Sequence, residues 1–555
     1  MERLHALRVP FLTRRRFPAP HSMRYSLVLL ALLGLLSSPA PAQQVAELPR
    51  ATVATSYPAG GRAVRVSATA NLQAALDAAR PGDVLLLAPG ATYVGNFLLR
   101  NKGALAANAP AGGWIVIRTD VADAALGGEG ARMTPTRAAS LRLARILSPD
   151  YNPAVGTNPG AHHYRLTGLE IASTPAATTM NMLVRFGEDG QQQNAPEKFP
   201  HHLVVDRSYV HGNPKLDMKR CVVLNGNHSA VIDSWLSECH GNSGDSQAVL
   251  SYNSAGPLKI QNNHLEAGHE MVVFGGSDPS IAGLSPADIE VRGNHLTRPN
   301  AWKKKWQVKN LLETKNVRRL VVEGNVMENN WSDAQDGFAL VLKSENQDGT
   351  APWSTSSDIT VRDNRIRGTG SGFNLSGTGS NGNKVVTAAR LLITNNLVER
   401  INVGQYTGEG IAFQLLNGIS DAVITHNTVV NQNATQSTVV FDGAPAQRLV
   451  MHSNVFFNGV YGVHGSNSSS GNGTLASHAP GALFRRNAII GASCAEYPPG
   501  TVCPSDVMSV GFTAALVGDF RIGRGPLKAR GHDGGDIGAD IDQIERATRG
   551  AVVAP

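Results

Sequence analysis

Residues 391–398 read LLITNNLV, and residues 423–430 read VITHNTVV. Both stretches join two apolar segments through one marked asparagine. The same pattern, with asparagine or serine at the marked position, recurs every 26 to 39 residues over much of the chain. A fixed element with spacers of variable length is typical of a solenoid whose coils carry loop insertions. The marked positions are Ser208, Ser234, Asn263, Asn294, Asn325, Asn364, Asn396, Asn427, Asn454 and Asn487.

The repeat unit predicts coils made of short β-strands. Its apolar segments alternate with polar residues and show no helix-length period, and its turns are rich in Asn and Gly. The 58 glycines and the 17% of charged residues agree with many strands joined by turns. A polar side chain in the same turn of every coil would stack on its copies and satisfy backbone groups that the turn leaves unpaired. We therefore expect a structural asparagine ladder in an all-β solenoid of about ten or more coils.

These repeats resemble the right-handed parallel β-helices of the pectate-lyase-like superfamily, over nearly the whole chain after residue 42. The resemblance implies coils of three sheets, with the ladder turn between the second and third sheets. The segment NLQAALDAAR (71–80) predicts a short amphipathic helix with Asn71 as its N-cap, which would cover the open end of the stack. GGDIGADI (534–541) resembles a closing strand. The predicted division is an export signal at 1–42, a linker at 43–60, the β-helix at 61–541 and a C-terminal tail at 542–555.

The N-terminal segment has the pattern of an export signal. The apolar run LVLLALLGLL (27–36) is too short to span a bilayer, and Ala40-Pro41-Ala42 offers small residues for cleavage. TRRRF (13–17) resembles a twin-arginine signal, whereas a start at Met23 would leave an ordinary secretory signal, and the two routes stay open. We expect a periplasmic or extracellular protein without a membrane span in its mature part.

Net charge and cysteine content limit the classes of partner. The formal charge of +7 falls to +2 once residues 1–42 are set aside, so the charge does not indicate a nucleic-acid partner. We also expect the protein to be a monomer. Four cysteines suit an oxidising compartment. Cys494 and Cys503 bracket a short loop that a disulfide could close. Cys221 and Cys239 fall within one coil, where they are either bonded or simply buried.

The ladder sets the register of the strands that precede it, which we assign to the first sheet. These segments are DSQAVLS (245–251), EMVVFGG (270–276), KNLLETK (309–315), GFALVLK (337–343), GIAFQL (410–415), TVVFDG (438–443) and YGVHG (461–465). In KNLLETK, alternation puts Lys309, Glu313 and Lys315 on one face, which must point outward from a filled core. Lys343 ends the next strand, so Lys315 and Lys343 are expected to be neighbours on the outer face.

The polar residues of these four coils, roughly 245 to 343, form the predicted site. Unlike charges hold one another ionised, whereas neighbouring ammonium groups lower one another's pKa, which can turn a lysine into a base. The candidate catalytic residues are Lys315, Lys343, Glu313, Glu270 and His269. The candidate substrate-binding residues are Asp245, Gln247, Lys309, Asn310, Trp331, Gln335 and Asp336.

The layout of residues 310–343 is similar to that of chondroitinase B and the related alginate lyases: strand, lysine, turn, ladder strand, loop, strand, basic residue. The resemblance implies an acidic polysaccharide as substrate and cleavage by β-elimination, with Lys315 as base and Lys343 where the family has an arginine. The family's calcium ligands have no clear counterparts. No metal ligand is therefore assigned. Calcium binding is left open, with Asn310, Glu270 and Glu313 as the candidate ligands.

Two other functions fit the same scaffold. A glycoside hydrolase would take its acid and base from Asp245, Glu270, Asp333 and Asp336. A non-catalytic surface or adhesion β-helix would bind a partner through its long loops. The Gly-His-Gly string typical of polygalacturonases is missing from the sequence, as is the Arg-x-Pro-x-x-Arg pattern of pectate lyases.

Two groups of aromatic residues remain. Trp302, Trp306 and Trp331 flank the lysine strand, where they either stack on sugar rings or pack under their own loops. The pairs His162-His163 and His201-His202 suggest a metal, but adjacent residues on a strand point to opposite faces, so neither pair is expected to chelate one ion.

Overall fold

The structure is a computed structural model of the chain. It describes residues 43–178, 180–188, 190–402, 404, 406–431 and 436–555. The predicted export signal at 1–42 lies outside the described residues. None of the helices in the described part of the chain is long and apolar enough to cross a bilayer.

Three long sheets run the length of the protein, and every strand in them pairs in parallel with the strands of the coils above and below. Along the chain, each coil passes from the first sheet to the second and then to the third. The connections between successive parallel strands are right-handed almost without exception. The predicted right-handed parallel β-helix is confirmed, with twelve to fourteen strands per sheet in the described residues.

The strand bounds are as follows. The first sheet contains Phe97–Leu99, Val155–Thr157, Met180–Phe186, Met218–Leu224, Gln247–Ser251, Glu270–Phe274, Leu312–Thr314, Phe338–Lys343, Ser371–Ser376, Phe413–Leu416, Val439–Asp442 and Val463–Gly465. The second contains Arg62–Val66, Asp83–Leu87, Ile115–Thr119, His162–Thr167, His201–Asp206, Asn227–Ile232, Leu258–Gln261, Ala287–Arg292, Val317–Glu323, Ser356–Arg362, Ala389–Thr394, Ser420–Thr425, Val450–His452 and Leu483–Arg485. The third contains Thr92–Val94, Ala144–Ser148, Leu169–Ser173, Tyr209–His211, Trp235–Cys239, His264–Ala267, His295–Thr297, Val326–Asn330, Arg365–Thr369, Leu397–Ile401, Thr428–Val430, Val455–Phe457 and Ala488–Ile490.

The remaining elements are short. Phe512–Ala514 and Asp519–Ile522 form an antiparallel pair. The α-helices are Leu72–Ala78, Asp123–Leu126, Pro135–Ser140, Asn472–His478 and Ile541–Ala547. The 3-10 turns are Pro110–Gly113, Gln191–Gln193, Pro196–Lys198, Asn300–Trp302, Cys494–Glu496 and Ala515–Val517.

The asparagine ladder is present as predicted. The Oδ1 atom of Asn325 accepts from the backbone N–H of Asn294 at 2.9 Å and from its Nδ2 at 3.0 Å. The Nδ2 atom of Asn325 in turn donates to Asn364 Oδ1 at 3.0 Å and to Val291 O at 2.9 Å. Equivalent bonds continue to Asn487. At the other end, the backbone N–H of Ser234 donates to Asn263 Oδ1, and that of Ser208 donates to Ser234 Oγ. Each amide thus pairs backbone groups that the turn leaves free, which confirms its structural role.

The interior of the solenoid is filled by side chains that stack on their register partners in the next coil. The rings of Phe373 and Phe413 are stacked at 4.8 Å. One such inward row runs along the first sheet through Val272, Leu312, Leu340, Phe373, Phe413 and Val439, all fully buried. Because apolar side chains occupy this interior, the charged residues of the same strands must face outward.

The two ends of the stack differ in how well the sequence predicted them. The helix Leu72–Ala78 is capped by Asn71, whose side chain accepts from Ala74 N at 3.0 Å, as predicted. The prediction of a closing strand at 534–541 is wrong. Residues 534–540 form bends and irregular backbone, because Gly534 and Gly538 adopt φ of 88° and 108°, outside the extended range of a strand, and Ile541 begins the last helix.

Both cysteine pairs are disulfide-bonded, Cys221 to Cys239 and Cys494 to Cys503. The first bridge lies in the interior of the stack, where both cysteines are fully buried. The second closes the loop that follows the last strand of the third sheet.

Several second-sheet strands have a left-handed residue at or near their start. The φ angles lie between 49° and 59° at His163, His202, His228, Asp288, Arg319, Asp358, Arg390, Asp421 and Arg448. A left-handed residue breaks the alternation of side chains, so the Nδ1 atoms of His162 and His163 meet at 3.0 Å, and those of His201 and His202 at 2.7 Å. The expectation that adjacent histidines point to opposite faces is therefore wrong at both pairs.

Candidate functional site

The predicted site lies on the outer face of the first sheet. The strands Gln247–Ser251, Glu270–Phe274, Leu312–Thr314 and Phe338–Lys343 are consecutive neighbours in that sheet. Gln247 is the register partner of Glu270, and Glu313 is the partner of Val341. The ladder therefore assigned these four segments to the correct sheet and order.

Two lysines and two glutamates form a cluster at the end of these strands. The Nζ atom of Lys343 lies 3.4 Å from Glu313 Oε1 and 3.0 Å from Glu345 Oε2. The Nζ atom of Lys315 lies 3.8 Å and 3.4 Å from the same two oxygens and donates to Gln347 Oε1 at 2.6 Å. Burial disfavours the charged form of Lys343, but the two carboxylates outweigh it and raise the pKa of Lys343. We call these four side chains the lysine–glutamate cluster.

Glu313 also belongs to a second group of buried polar side chains, together with Gln247, Glu270 and Asn310. Gln247 Nε2 donates to Glu270 Oε2 at 2.8 Å, and Asn310 Nδ2 donates to Glu313 Oε2 at 2.9 Å. Gln247 Oε1 and Asn310 Oδ1 are buried and find no hydrogen-bond partner among the described residues. Burial and the nearby charge of Glu313 raise the pKa of Glu270 to about 7. Carboxylates that repel each other, next to unpaired amide oxygens, form a donor set that suits Ca²⁺.

Lys309 connects the neighbouring coils. Its Nζ atom lies 2.6 Å from Asp245 Oδ1 and 3.7 Å from Glu270 Oε1. Burial opposes the charge on Lys309, but Glu270 and Asp245 outweigh it and raise the pKa of the lysine. Burial likewise disfavours the charged form of Asp245, yet its hydrogen bond with Lys309 leaves the pKa of Asp245 lowered. Lys309 therefore remains a cation that holds these two carboxylates together.

His269 is buried and fully engaged. Its Nδ1 atom accepts from the backbone N–H of Ser246 at 3.1 Å, which leaves the proton on Nε2. Nε2 then donates to Gln307 Oε1 at 3.2 Å. Burial lowers the pKa of His269, so the imidazole stays neutral. This arrangement suits a residue that positions the Ser246 loop.

Two residues of the site lie outside the first-sheet segments that the repeat predicts. Glu345 follows the strand Phe338–Lys343 and binds both lysines of the cluster. Arg298 is fully buried and donates to the carbonyl oxygens of Ala267, His269 and Asn310 at 3.2, 3.2 and 2.9 Å. Burial lowers the pKa of Arg298 to about 9. The arginine holds the backbone of two candidate site residues from beneath.

Two cavities flank the lysine–glutamate cluster on the outer face. The first has a volume of about 300 Å³, and Lys315 is part of its wall. The second has a volume of about 260 Å³ and is lined by Lys343. Polar residues in the first are Arg220, Asp245, Gln247, Glu270 and Ser277, and in the second Gln335, Asp336, Asn374, Ser376 and Asn417. The two lysines thus separate two polar cavities along one face.

The loop residues divide into buried and exposed ones. Trp302, Trp306 and Trp331 pack with Val308 under their own loop, and Trp331 is only 1% exposed, so its ring offers no free face to a sugar. Asp333 accepts from the backbone N–H of Val308 at 2.9 Å. Gln335 Oε1 accepts from Asn310 at 3.2 Å, whereas Asp336 is exposed at the second cavity.

The comparisons with known proteins give fold neighbours. No protein-family model matches the chain, and no curated protein sequence matches it. Among solved structures, it is similar to the PL6 family alginate lyase AlyGC, at 14% identity and a TM-score of 0.47, over 79% of this chain and 53% of that lyase. It is also similar to an alginate lyase from Paenibacillus sp. str. FPU-7, at 14% identity and a TM-score of 0.30, over 80% of this chain and 97% of the other. A third is the Dettilon tailspike protein, at 11% identity and a TM-score of 0.38, over 80% and 68%.

These similarities concern the fold. The right-handed parallel β-helix follows from the three parallel sheets of this chain itself. The aligned region spans about half the length of AlyGC. Chemical activity has to be argued from the side chains of the site.

Proposed function

We propose that this protein is an exported polysaccharide lyase that cleaves an acidic, uronate-containing polysaccharide by β-elimination along the outer face of its first sheet. The observation that carries the proposal is the lysine–glutamate cluster. It puts two ammonium groups side by side between two polar cavities on one face, and we infer that a sugar chain follows a groove across both.

The two lysines have different roles in this proposal. β-Elimination needs positive charge beside the uronate carboxylate, a base for the adjacent carbon-bound proton and a proton for the leaving oxygen. Lys343 stays charged, because Glu313 and Glu345 raise its pKa, and it therefore binds the carboxylate. Lys315 lines the first cavity, and its amine serves as the base. The proton that Lys315 takes from carbon then passes to the leaving oxygen.

A calcium ion would be held by Glu270, Asn310 and Glu313 together with Gln247. The unpaired amide oxygens and the raised pKa of Glu270 fit such an ion. When bound, it would supply further positive charge for a uronate carboxylate. In either case Gln247 and Glu270 belong to the wall of the first cavity, and Lys309 is paired with Asp245 in the same wall.

The proposal is tested by incubating the protein with alginate, pectate, chondroitin and glucuronan, with and without added calcium. Elimination introduces a double bond next to the carboxylate, so ultraviolet absorbance should rise with at least one of these polymers. A rise in reducing ends without that absorbance would contradict the proposal in favour of hydrolysis. No cleavage of any polymer would contradict it in favour of a binding protein.

One observation favours a glycoside hydrolase as second candidate. Glu270 has its pKa raised to about 7, while Asp245, on the same lysine, has its pKa lowered. Carboxyl groups whose pKa values are pushed apart are the typical acid and base of glycoside hydrolysis. Replacement of Asp245 by Asn should then abolish the release of reducing ends, whereas in a lyase based on Lys315 it should weaken substrate binding and still allow the ultraviolet-absorbing product to form.

A further inference from the structure

A second group of ionisable side chains lies on the second sheet, away from the proposed groove. The strands His162–Thr167 and His201–Asp206 are neighbours, with His201 opposite His162. His163 and His202 adopt left-handed φ of 59° and 55°, which turns each of them toward the preceding histidine. The ring of His163 is stacked on that of His202 at 4.4 Å, and the ring of His162 on that of His201 at 4.8 Å. Four imidazoles from two coils therefore face one another.

The nitrogen atoms of this group have the spacing of metal ligands. One nitrogen each from His163, His201 and His202 lies within 4.8 Å of the others. The Nδ1 atom of His162 lies 3.0 Å from that of His163. Imidazoles bound to one Zn²⁺ at about 2.0–2.1 Å have neighbouring nitrogens roughly 3 Å apart. Small ring rotations would therefore bring these atoms to a common ion.

The hydrogen bond from Nε2 of His162 fixes the tautomer that a metal ligand needs. Its Nε2 atom lies 2.9 Å from the carbonyl oxygen of Gly103. A carbonyl oxygen only accepts, so Nε2 carries the proton and Nδ1 carries the lone pair. Donation from the second ring nitrogen to a backbone carbonyl is also the contact that orients metal-bound histidines.

Aromatic rings pack against the group. Trp114 contacts the edge of His163, with ring centroids 5.3 Å apart, and His228 stacks on His202 at 4.7 Å.

We propose that His163, His201 and His202, with His162 as fourth ligand, bind one divalent transition-metal ion of the Zn²⁺ or Cu²⁺ class across two coils. An all-imidazole donor set selects zinc, copper or nickel over calcium and magnesium. The ion ties adjacent strands together and stabilises the N-terminal part of the solenoid, since it binds the folded state alone. This site is independent of the proposed lyase activity.

A second histidine group has to be removed before the measurement. His426, His532 and Asp533 also lie close enough together to hold an ion, and they are more exposed. The test therefore uses tag-free protein that carries His426→Asn, treated with a chelator and then transferred to chelator-free buffer. His426 has φ of 52°, and asparagine is among the residues that tolerate this conformation.

Calorimetric titration with zinc chloride and with copper chloride measures the stoichiometry and the affinity. We expect one ion per chain with a Kd of about 1 μM or lower. His163→Asn and His202→Asn should each weaken binding at least about 100-fold, since loss of a mere outer-shell partner already costs 10–100-fold. His228→Asn is the matched control, because His228 also has a left-handed φ and stacks on the group but is not a ligand. Its affinity should be unchanged.

Unfolding curves recorded without metal show whether each variant is folded. Should His202→Asn fail to fold, His201→Asn removes a ligand from an extended position and serves in its place. The absence of binding in the His426→Asn protein would overturn the proposal and leave a stack of neutral imidazoles with a packing role only. Unchanged affinity in the folded His163→Asn or His202→Asn variants would overturn it as well. Anomalous X-ray scattering at the zinc edge should place the ion between His163 and His202.

Discussion

Replacement of Glu270 by Gln should stabilise the protein at alkaline pH and leave it unchanged at acidic pH. Burial and the charge of Glu313 raise the pKa of Glu270 from 4.5 to about 7. Between these two values the folded protein binds more protons than the unfolded chain, so Glu270 costs stability progressively as the pH rises. At 1.36 kcal/mol per pKa unit, the shift corresponds to roughly 3 kcal/mol above pH 7. The amide of E270Q carries no charge and can still accept from Gln247 Nε2.

The assay is thermal unfolding followed by circular dichroism at about pH 4 and about pH 8, with a chelator present so that no divalent cation compensates the charge. With an unfolding entropy of about 1 kcal/mol/K for a chain of this length, we expect Tm to rise by about 3 °C at the higher pH and not at the lower. E345Q is the control of opposite sign. Burial favours the neutral form of Glu345, but Lys343 and Lys315 outweigh it and lower its pKa, so E345Q should lower Tm at the higher pH.

A raised pKa of Glu270 would be contradicted if E270Q and the unchanged protein unfolded at the same temperature at pH values above 7, or if the variant were the less stable one there. Either result would mean that the Glu270 carboxylate is stabilised when charged. Another group of the protein would then have to neutralise the Glu270 carboxylate when no metal is bound.

Two further predictions concern the ladder and the cation. Asn325→Ala removes the acceptor for the backbone N–H and the Nδ2 of Asn294. In denaturant unfolding, this variant should be less stable by about 3 kcal/mol. An unchanged unfolding midpoint would contradict a structural role of the ladder. Added calcium at about 100 times its Kd should stabilise the unchanged protein by about 2.7 kcal/mol and E270Q much less, measured as a shift in Tm; equal shifts would exclude Glu270 as a ligand.

The fold and the place of the candidate site could be predicted because the coils repeat. The turn residue of each coil, such as Asn325, bonds its counterpart in the next coil, so its position in the sequence reports strand register directly. Once the register was known, alternation put Glu313 and Lys315 outside, and Lys343 beside them. The strand Ser371–Ser376 was missed, since its glycine and serines look like a turn.

The missing parts of the site depend on tertiary contacts rather than on periodicity. Glu345 and Arg298 each lie in a loop that follows a strand, where alternation does not predict the direction of a side chain. The path of that loop determines their contacts with the site. The histidine pairs were misjudged for another reason. His163 and His202 adopt left-handed φ, which histidine visits more often than most residues but which no neighbouring residue announces.

Lys315 is the proposed base that removes the proton in an elimination reaction. The most direct measurement of this role compares two lysine variants on whichever polymer the protein cleaves. Lys259 lies on the second sheet, pairs with Glu290 at 3.7 Å and has a side chain that is 14% exposed, against 16% for Lys315. Lys315→Ala should abolish the rise in ultraviolet absorbance, by at least about 100-fold in initial rate, while Lys259→Ala keeps the full rate. A fully active, folded Lys315→Ala variant would contradict the assignment.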